Sequence, residues 1–206
     1  MHDLNNKKTV ILIRHSKTEL NALGIYMGCG TDAPLSEDGR KETVKERDKI
    51  RRITGDACVF SSPMERALET AKILFGDRHI NVEEALKEID FGDFEGRSVK
   101  ELTDDPGYQA WIDSGGMMPI PGGESIEEFS KRTISGLHNI LRGSDSERIA
   151  IVCHGGSIMA IMSTLAGGNY FDRLVGNLEG YILTFKWDDE RISDITYDRF
   201  GSGDNT

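Results

Sequence analysis

Apolar residues along this chain fall into short blocks separated by charged stretches with helical spacing. Val10-Ile11-Leu12-Ile13 is a continuous apolar run between polar flanks. It is too short for a helix and lacks the alternation of a half-exposed strand, so it predicts a strand over 9–13 covered on both faces. Ser36-Glu37-Asp38-Gly39 opens a charged helix to about Ile53, whose sparse apolar face is Val44, Ile50 and Ile53. Ala57 to Phe60 reads as a second short strand. Ser62-Pro63-Met64-Glu65 reads as a helix start, with a capping hydroxyl, a proline suited to the first turn and a glutamate placed to close a capping box. That helix is expected to reach about Phe75.

Farther on, Glu124 to Leu141 places Ile126, Phe129, Ile134, Leu137 and Leu141 on one helical side. Arg148 to Cys153 predicts the next strand, and His154-Gly155-Gly156 starts a helix to about Leu165. Tyr181 to Trp187 and Arg191 to Tyr197, joined by Asp188-Asp189-Glu190, read as a closing hairpin. Residues 80–123 are irregular and rich in Gly, Asp and Pro. A lid or small inserted subdomain is expected there, at 90–123. Strands alternating with helices predict an α/β fold: a three-layer sandwich with a mainly parallel central sheet and helices on both faces, as one domain over 1–206.

Composition narrows the classes. The chain has 206 residues, of which 37% are hydrophobic and 29% charged, enough for one sizeable core. Its 25 basic against 35 acidic side chains leave a formal charge of −10, which argues against nucleic acid or an anionic membrane as partner. A pocket on such a protein can still be locally positive. Met1 to Lys8 leads into the first strand without an apolar stretch long enough for a signal peptide or a membrane span, so a cytoplasmic location is expected. Cys29, Cys58 and Cys153 are odd in number, and their spacing suits neither a disulfide framework nor a zinc site. They read as thiols of a reducing compartment. No carboxylate cluster has magnesium-type spacing, so no metal is expected. The oligomeric state stays open.

The candidate chemistry gathers just past the ends of strands, where ligands bind in open α/β sheets. Arg14-His15 follows the first strand and Arg66 lies in the first turn after the second. Glu88, within Leu86-Lys87-Glu88-Ile89, follows the next apolar patch. His154 sits at a helix N-terminus, where free backbone N–H groups favour an anion. Each residue taken singly reads as structural. Two histidines, two arginines and a carboxylate at one sheet edge read as a phosphate site equipped for covalent catalysis. His2, His79 and His138 have no such context.

Several segments together resemble the histidine phosphatase superfamily, in its phosphoglycerate-mutase-like branch. Arg14-His15-Ser16-Lys17-Thr18-Glu19-Leu20-Asn21 resembles the Arg-His-Gly-x-Thr-x-x-Asn signature of that family. Tyr26 to Ser36 with Gly39 resembles the loop and helix start that follow it. Ser61-Ser62-Pro63-Met64-Glu65-Arg66-Ala67 with Thr70-Ala71 resembles the segment of the second arginine. Glu88 with Phe91-Gly92-Asp93-Phe94-Glu95-Gly96 resembles the segment of the acid, and Pro121 to Ser125 and His154-Gly155-Gly156 complete a match over roughly 9–185. Two positions depart from the pattern. Ser16 stands where the family usually has Gly; it reads as tolerated, with a hydroxyl able to donate to a phosphate oxygen, and a weakened or inactive site stays open. Ile158-Met159-Ala160 stands where some relatives carry an arginine.

The resemblance implies a metal-independent phosphomonoesterase without cofactor, acting on a small phosphate ester. His15 would form a phosphohistidine, Arg14, Arg66 and His154 would hold the phosphoryl oxygens, and Glu88 would serve as proton donor. Asn21, Ser16, Gly155 and Thr31 would add phosphate or substrate contacts. The short acid segment resembles phosphatase members, including α-ribazole-phosphate phosphatases. Tyr108, Trp111, Ile112, Met117, Met118 and Ile120 are expected either to line the leaving-group side or to pack the lid. Two other readings stay open: a phosphoglycerate mutase, and a non-catalytic phospho-ligand binding or regulatory protein.

Overall fold

The computed structural model describes residues 6–201, so His2 and the first five residues of the expected lead into the sheet lie outside the described residues. In chain order the strands and α-helices are β1 (Lys7–Arg14), α1 (Glu19–Ala22), α2 (Glu37–Thr54), β2 (Cys58–Ser61), α3 (Glu65–Phe75), β3 (Ile80–Val82), α4 (Val99–Leu102), α5 (Pro106–Asp113), α6 (Ile126–Arg142), β4 (Arg148–Cys153), α7 (Gly155–Ala166), β5 (Gly180–Trp187) and β6 (Ile192–Phe200). The strands form one sheet in the order β3-β2-β4-β1-β5-β6. β1, β2, β3 and β4 run parallel, whereas β5 and β6 join antiparallel at one edge.

The apolar run of β1 is explained by its place in the middle of the sheet. Val10 and Leu12 point into one core with Leu137, Ile140 and Leu141 of α6 and Ile158, Ile161 and Met162 of α7. Ile11 and Ile13 point into the other with Ile50 of α2 and Ala67, Ala71 and Leu74 of α3. Helices therefore cover both faces, as strand pleating requires of a strand with no polar side. No helix among the described residues is long and apolar enough to cross a membrane.

Three local expectations change. Ile80-Asn81-Val82, read as irregular, is a strand paired parallel to β2. Three residues are too few to show a period, and the pairing supplies what the sequence pattern lacks. The irregular stretch also contains α4, capped by Ser98 with Glu101, and α5, capped by Asp105 with Pro106 in its first turn. Third, α3 starts at Glu65 with Met64 as N-cap and no side-chain cap, so the box expected from Ser62 and Glu65 does not form. The Glu65 N–H is accepted instead by Asp32 at 2.8 Å, and the Ser62 hydroxyl lies 2.8 Å from Nε2 of His154. Between β3 and α6, Ile89, Phe94, Leu102, Tyr108, Trp111 and Ile120 build a separate apolar cluster against Phe129 and Ala160.

Candidate active site

β1, β2 and β4 end side by side, and each delivers part of the site as it leaves the sheet. His15 follows β1 directly; its N–H donates to the Cys153 carbonyl at the end of β4. Its ring Nδ1 lies 2.6 Å from the Ser16 carbonyl oxygen, which can only accept. Nδ1 therefore carries the proton and Nε2 presents a lone pair. Burial, then the Arg66 and Arg14 guanidiniums, hold His15 well below the ordinary imidazole value. The ring is thus neutral and nucleophilic at neutral pH.

The two arginines are anchored at their outer nitrogens. Arg14 donates to the Val175 carbonyl at 2.6 Å. Arg66, fully buried in the first turn of α3, donates to the carbonyls of Thr31 at 3.0 Å and Gly28 at 3.2 Å. In both, Nε is buried and has no protein partner, as does Nδ1 of His154. A buried polar nitrogen without a partner is costly, and the two arginine Nε donors and His154 Nδ1 leave three such atoms beside the nucleophile, a place suited to an anion. His154 meets His15 edge to face, with ring centroids 5.2 Å apart. Burial, then Arg66, His15 and Arg14, hold it well below the usual histidine value.

Glu88 reaches the site from the segment after β3. Its oxygens accept from the N–H groups of Ile89 at 2.9 Å and of Gly156, in the first turn of α7, at 3.0 Å. Burial raises its pKa above the ordinary carboxylate value, outweighing those hydrogen bonds and the two arginines. A Cβ on Gly156 would run into Glu88 Oε1, so close approach of the carboxylate requires glycine there. A carboxyl with a raised pKa beside a neutral imidazole suits donating a proton and taking one back.

The remaining expected contacts divide. Gly155 opens α7 beside Arg14. The Asn21 carboxamide oxygen accepts from Thr18 N–H within the capping box of α1, so its NH2 group is not used by that cap. The Thr31 hydroxyl donates to Glu95 at 2.5 Å, which also accepts from Gly30 N–H. The Ser16 hydroxyl donates to the Gly39 carbonyl at 2.9 Å, while its N–H donates to Thr70. The Ser16 hydroxyl proton is thus engaged by that buried carbonyl. Tyr108, Trp111 and Ile120 are buried in the apolar cluster, whereas Ile112, Met117 and Met118 are exposed. His79 is exposed and His138 packs on Trp187, both away from these groups.

Two supporting residues escaped the sequence reading. Asn177 donates to the His15 carbonyl at 2.8 Å. Next to it, Leu178 holds φ at +61°, a strained conformation for a branched side chain, and its N–H donates to the Arg14 carbonyl. The loop before β5 thus braces the nucleophile from behind; only the register between β1 and β5 brings it there. Among the described residues, Cys29, Asp90 and Glu95 approach closely enough to consider a cation. Glu95 already accepts from Gly30 and Thr31, Asp90 accepts from Gly92 N–H, and burial pushes the Cys29 thiol up. These groups have other work within the loop.

Comparison with known proteins agrees with this geometry. The model of the histidine phosphatase superfamily (branch 1) matches residues 10–196, and the chain belongs to that family. A metal-independent phosphoserine phosphatase of Arabidopsis thaliana is 29% identical, covering 91% of this chain and 82% of the relative. A probable phosphoglycerate mutase, GpmB, of Salmonella paratyphi C is 30% identical over 77% of this chain and 74% of the relative. Among solved structures, the phosphoserine phosphatase of Entamoeba histolytica in complex with 3-phosphoglyceric acid superposes with a TM-score of 0.78. It is 30% identical, covering 95% of this chain and 98% of that one.

Proposed function

We propose that this chain is a metal-independent phosphomonoesterase of small phosphorylated metabolites, working through a phosphohistidine on His15, with short phosphorylated acids such as phosphoserine as first candidates. The observation that carries the reading is the set of buried, unpartnered nitrogens, Arg14 Nε, Arg66 Nε and His154 Nδ1, around an imidazole whose Nδ1 is tied to Ser16. His15 Nε2 attacks phosphorus and forms the N–P bond. The P–O bond to the leaving group breaks, and Glu88 delivers its proton to the departing oxygen. Water then attacks phosphorus, Glu88 takes a proton from it, and the N–P bond breaks to return neutral His15. Each donor on the phosphoryl oxygens is worth ~2.7–4 kcal/mol of barrier in sites of this kind.

Phosphoserine leads because relatives at 29% and 30% identity carry that activity in their names. α-Ribazole phosphate loses ground because Tyr108 and Trp111, open to either lining the leaving-group side or packing the lid, are buried in the apolar cluster. The segment 90–123 is read as the cover over the leaving group, and three free thiols suit a cytoplasmic setting. The mutase reading keeps a specific support in the GpmB match.

The test is phosphate release, with EDTA present, from phosphoserine, 3-phosphoglycerate, α-ribazole phosphate and p-nitrophenyl phosphate, alongside mutase assays. Wild-type release and labelling of the protein by radioactive phosphate are expected, both lost in His15→Ala by on the order of 10⁴-fold or more. Retained turnover in His15→Ala, or EDTA-sensitive turnover, overturns the mechanism. Interconversion of phosphoglycerates faster than release assigns the mutase instead.

A further inference from the structure

We propose that Ser62 is a positioning residue that sets the tautomer of His154, keeping the proton on Nδ1 so that this nitrogen donates to the bound phosphoryl group. Ser62 and His154 are both fully buried, and the Ser62 hydroxyl lies 2.8 Å from His154 Nε2. That hydroxyl accepts the N–H of Met64 at 3.3 Å, which uses one lone pair and leaves its single proton to be placed. The nearby Ser62 carbonyl is taken by the Ser61 hydroxyl at 2.9 Å. The acceptor for the Ser62 proton among the described residues is therefore His154 Nε2. An imidazole that accepts at Nε2 and is neutral carries its proton on Nδ1.

Nδ1 is the nitrogen left buried without a protein partner, in the field of Arg14, Arg66 and His15. The same cations that attract a phosphate keep the ring from gaining a second proton, so one donor must be aimed by the tautomer rather than supplied by charge. With the opposite tautomer, His154 would turn a lone pair toward phosphate oxygens and repel them. The relay runs from Met64 N–H through the Ser62 hydroxyl to Nε2. The kinetic consequence rests on the phosphatase reading above; the tautomer itself does not.

The experiment is a long-range ¹H–¹⁵N correlation spectrum of the full chain with ¹⁵N-labelled histidine at neutral pH, with His154 assigned from the spectrum of His154→Gln. The expected wild-type pattern is a protonated Nδ1 and an unprotonated Nε2 on His154, without any substrate present. Ser62→Ala should shift the proton to Nε2 or to a mixture, and Ser62→Thr should restore the wild-type pattern. In phosphate release, Ser62→Ala should lower kcat by up to about 10²-fold, the scale of one lost oxyanion donor, with KM little changed. The double variant Ser62→Ala/His154→Gln should be no slower than His154→Gln alone, because both changes remove the same donor. A wild-type His154 protonated on Nε2 overturns the proposal without reference to any variant's folding or activity. An Nδ1–H tautomer that persists in Ser62→Ala overturns it too. If the tautomer behaves as expected and no ester is hydrolysed, it is the phosphatase reading that fails.

Discussion

His15 and His154 meet edge to face at 5.2 Å between ring centroids, with exposures of 3% and 0%. Two imidazoles this close and this buried cannot both be charged beside Arg14 and Arg66. Their neutrality determines how the site works and how the fold responds to acid.

Acid should therefore destabilise the fold through this pair. Burial and the two arginines hold both histidines well below their usual 6.5. Unfolded histidine protonates near 6.5, so below that pH the unfolded chain binds more protons and stability falls toward the depressed native values. Glu88 acts in the opposite sense. Its raised native pKa gives a contribution that is complete below the unfolded carboxylate value and is lost as pH rises through the native one. Thermal unfolding followed by circular dichroism from about pH 7 to 5 should show a Tm decline that flattens in His15→Asn/His154→Asn. Equal declines in both proteins would count against buried neutral imidazoles.

Glu88→Gln should separate substrates by leaving group. An alkoxide such as that of phosphoserine needs the proton, whereas p-nitrophenolate leaves without one. We expect a loss of about 10²–10⁴-fold on phosphoserine and a much smaller one on p-nitrophenyl phosphate, measured as kcat. Equal losses would remove Glu88 from the role of acid.

Gly156→Ala tests the same carboxylate from the opposite side. The added methyl would occupy the space of Glu88 Oε1 and press on Phe129 at 3.2 Å. Displacement of the carboxyl should reproduce the leaving-group pattern of Glu88→Gln and cost about 1–3 kcal/mol in urea unfolding. Full activity in this variant would show that Glu88 need not touch Gly156.

Ser16→Gly should leave phosphate release close to wild type, because the hydroxyl serves the Gly39 carbonyl rather than the anion place. That carbonyl also accepts from Thr43 at 2.6 Å, so it stays paired. A stability loss of about 0.5–1.5 kcal/mol is expected from the missing bond. A large change in kcat in either direction would return Ser16 to the chemistry.

The sequence was sufficient where information is local. Short apolar runs between polar flanks, ending at Ile13, Phe60 and Cys153, marked β1, β2 and β4 nearly to their bounds. Chain order of strands and helices carried the α/β class for the same reason, and the motif spacing carried the family. Tertiary structure decided what depends on meeting a distant partner. Ile80 to Val82 is a strand because β2 lies beside it, and the first N–H of α3 goes to Asp32 rather than to Ser62, whose hydroxyl faces His154. Ser16 turns to Gly39, and Asn177 braces His15, through contacts that no local pattern encodes. The sequence named the groups that can carry chemistry; only the packed fold could say which nitrogen holds a proton and which donor is left for the ligand, because a buried polar atom must be satisfied by whatever the fold places within reach.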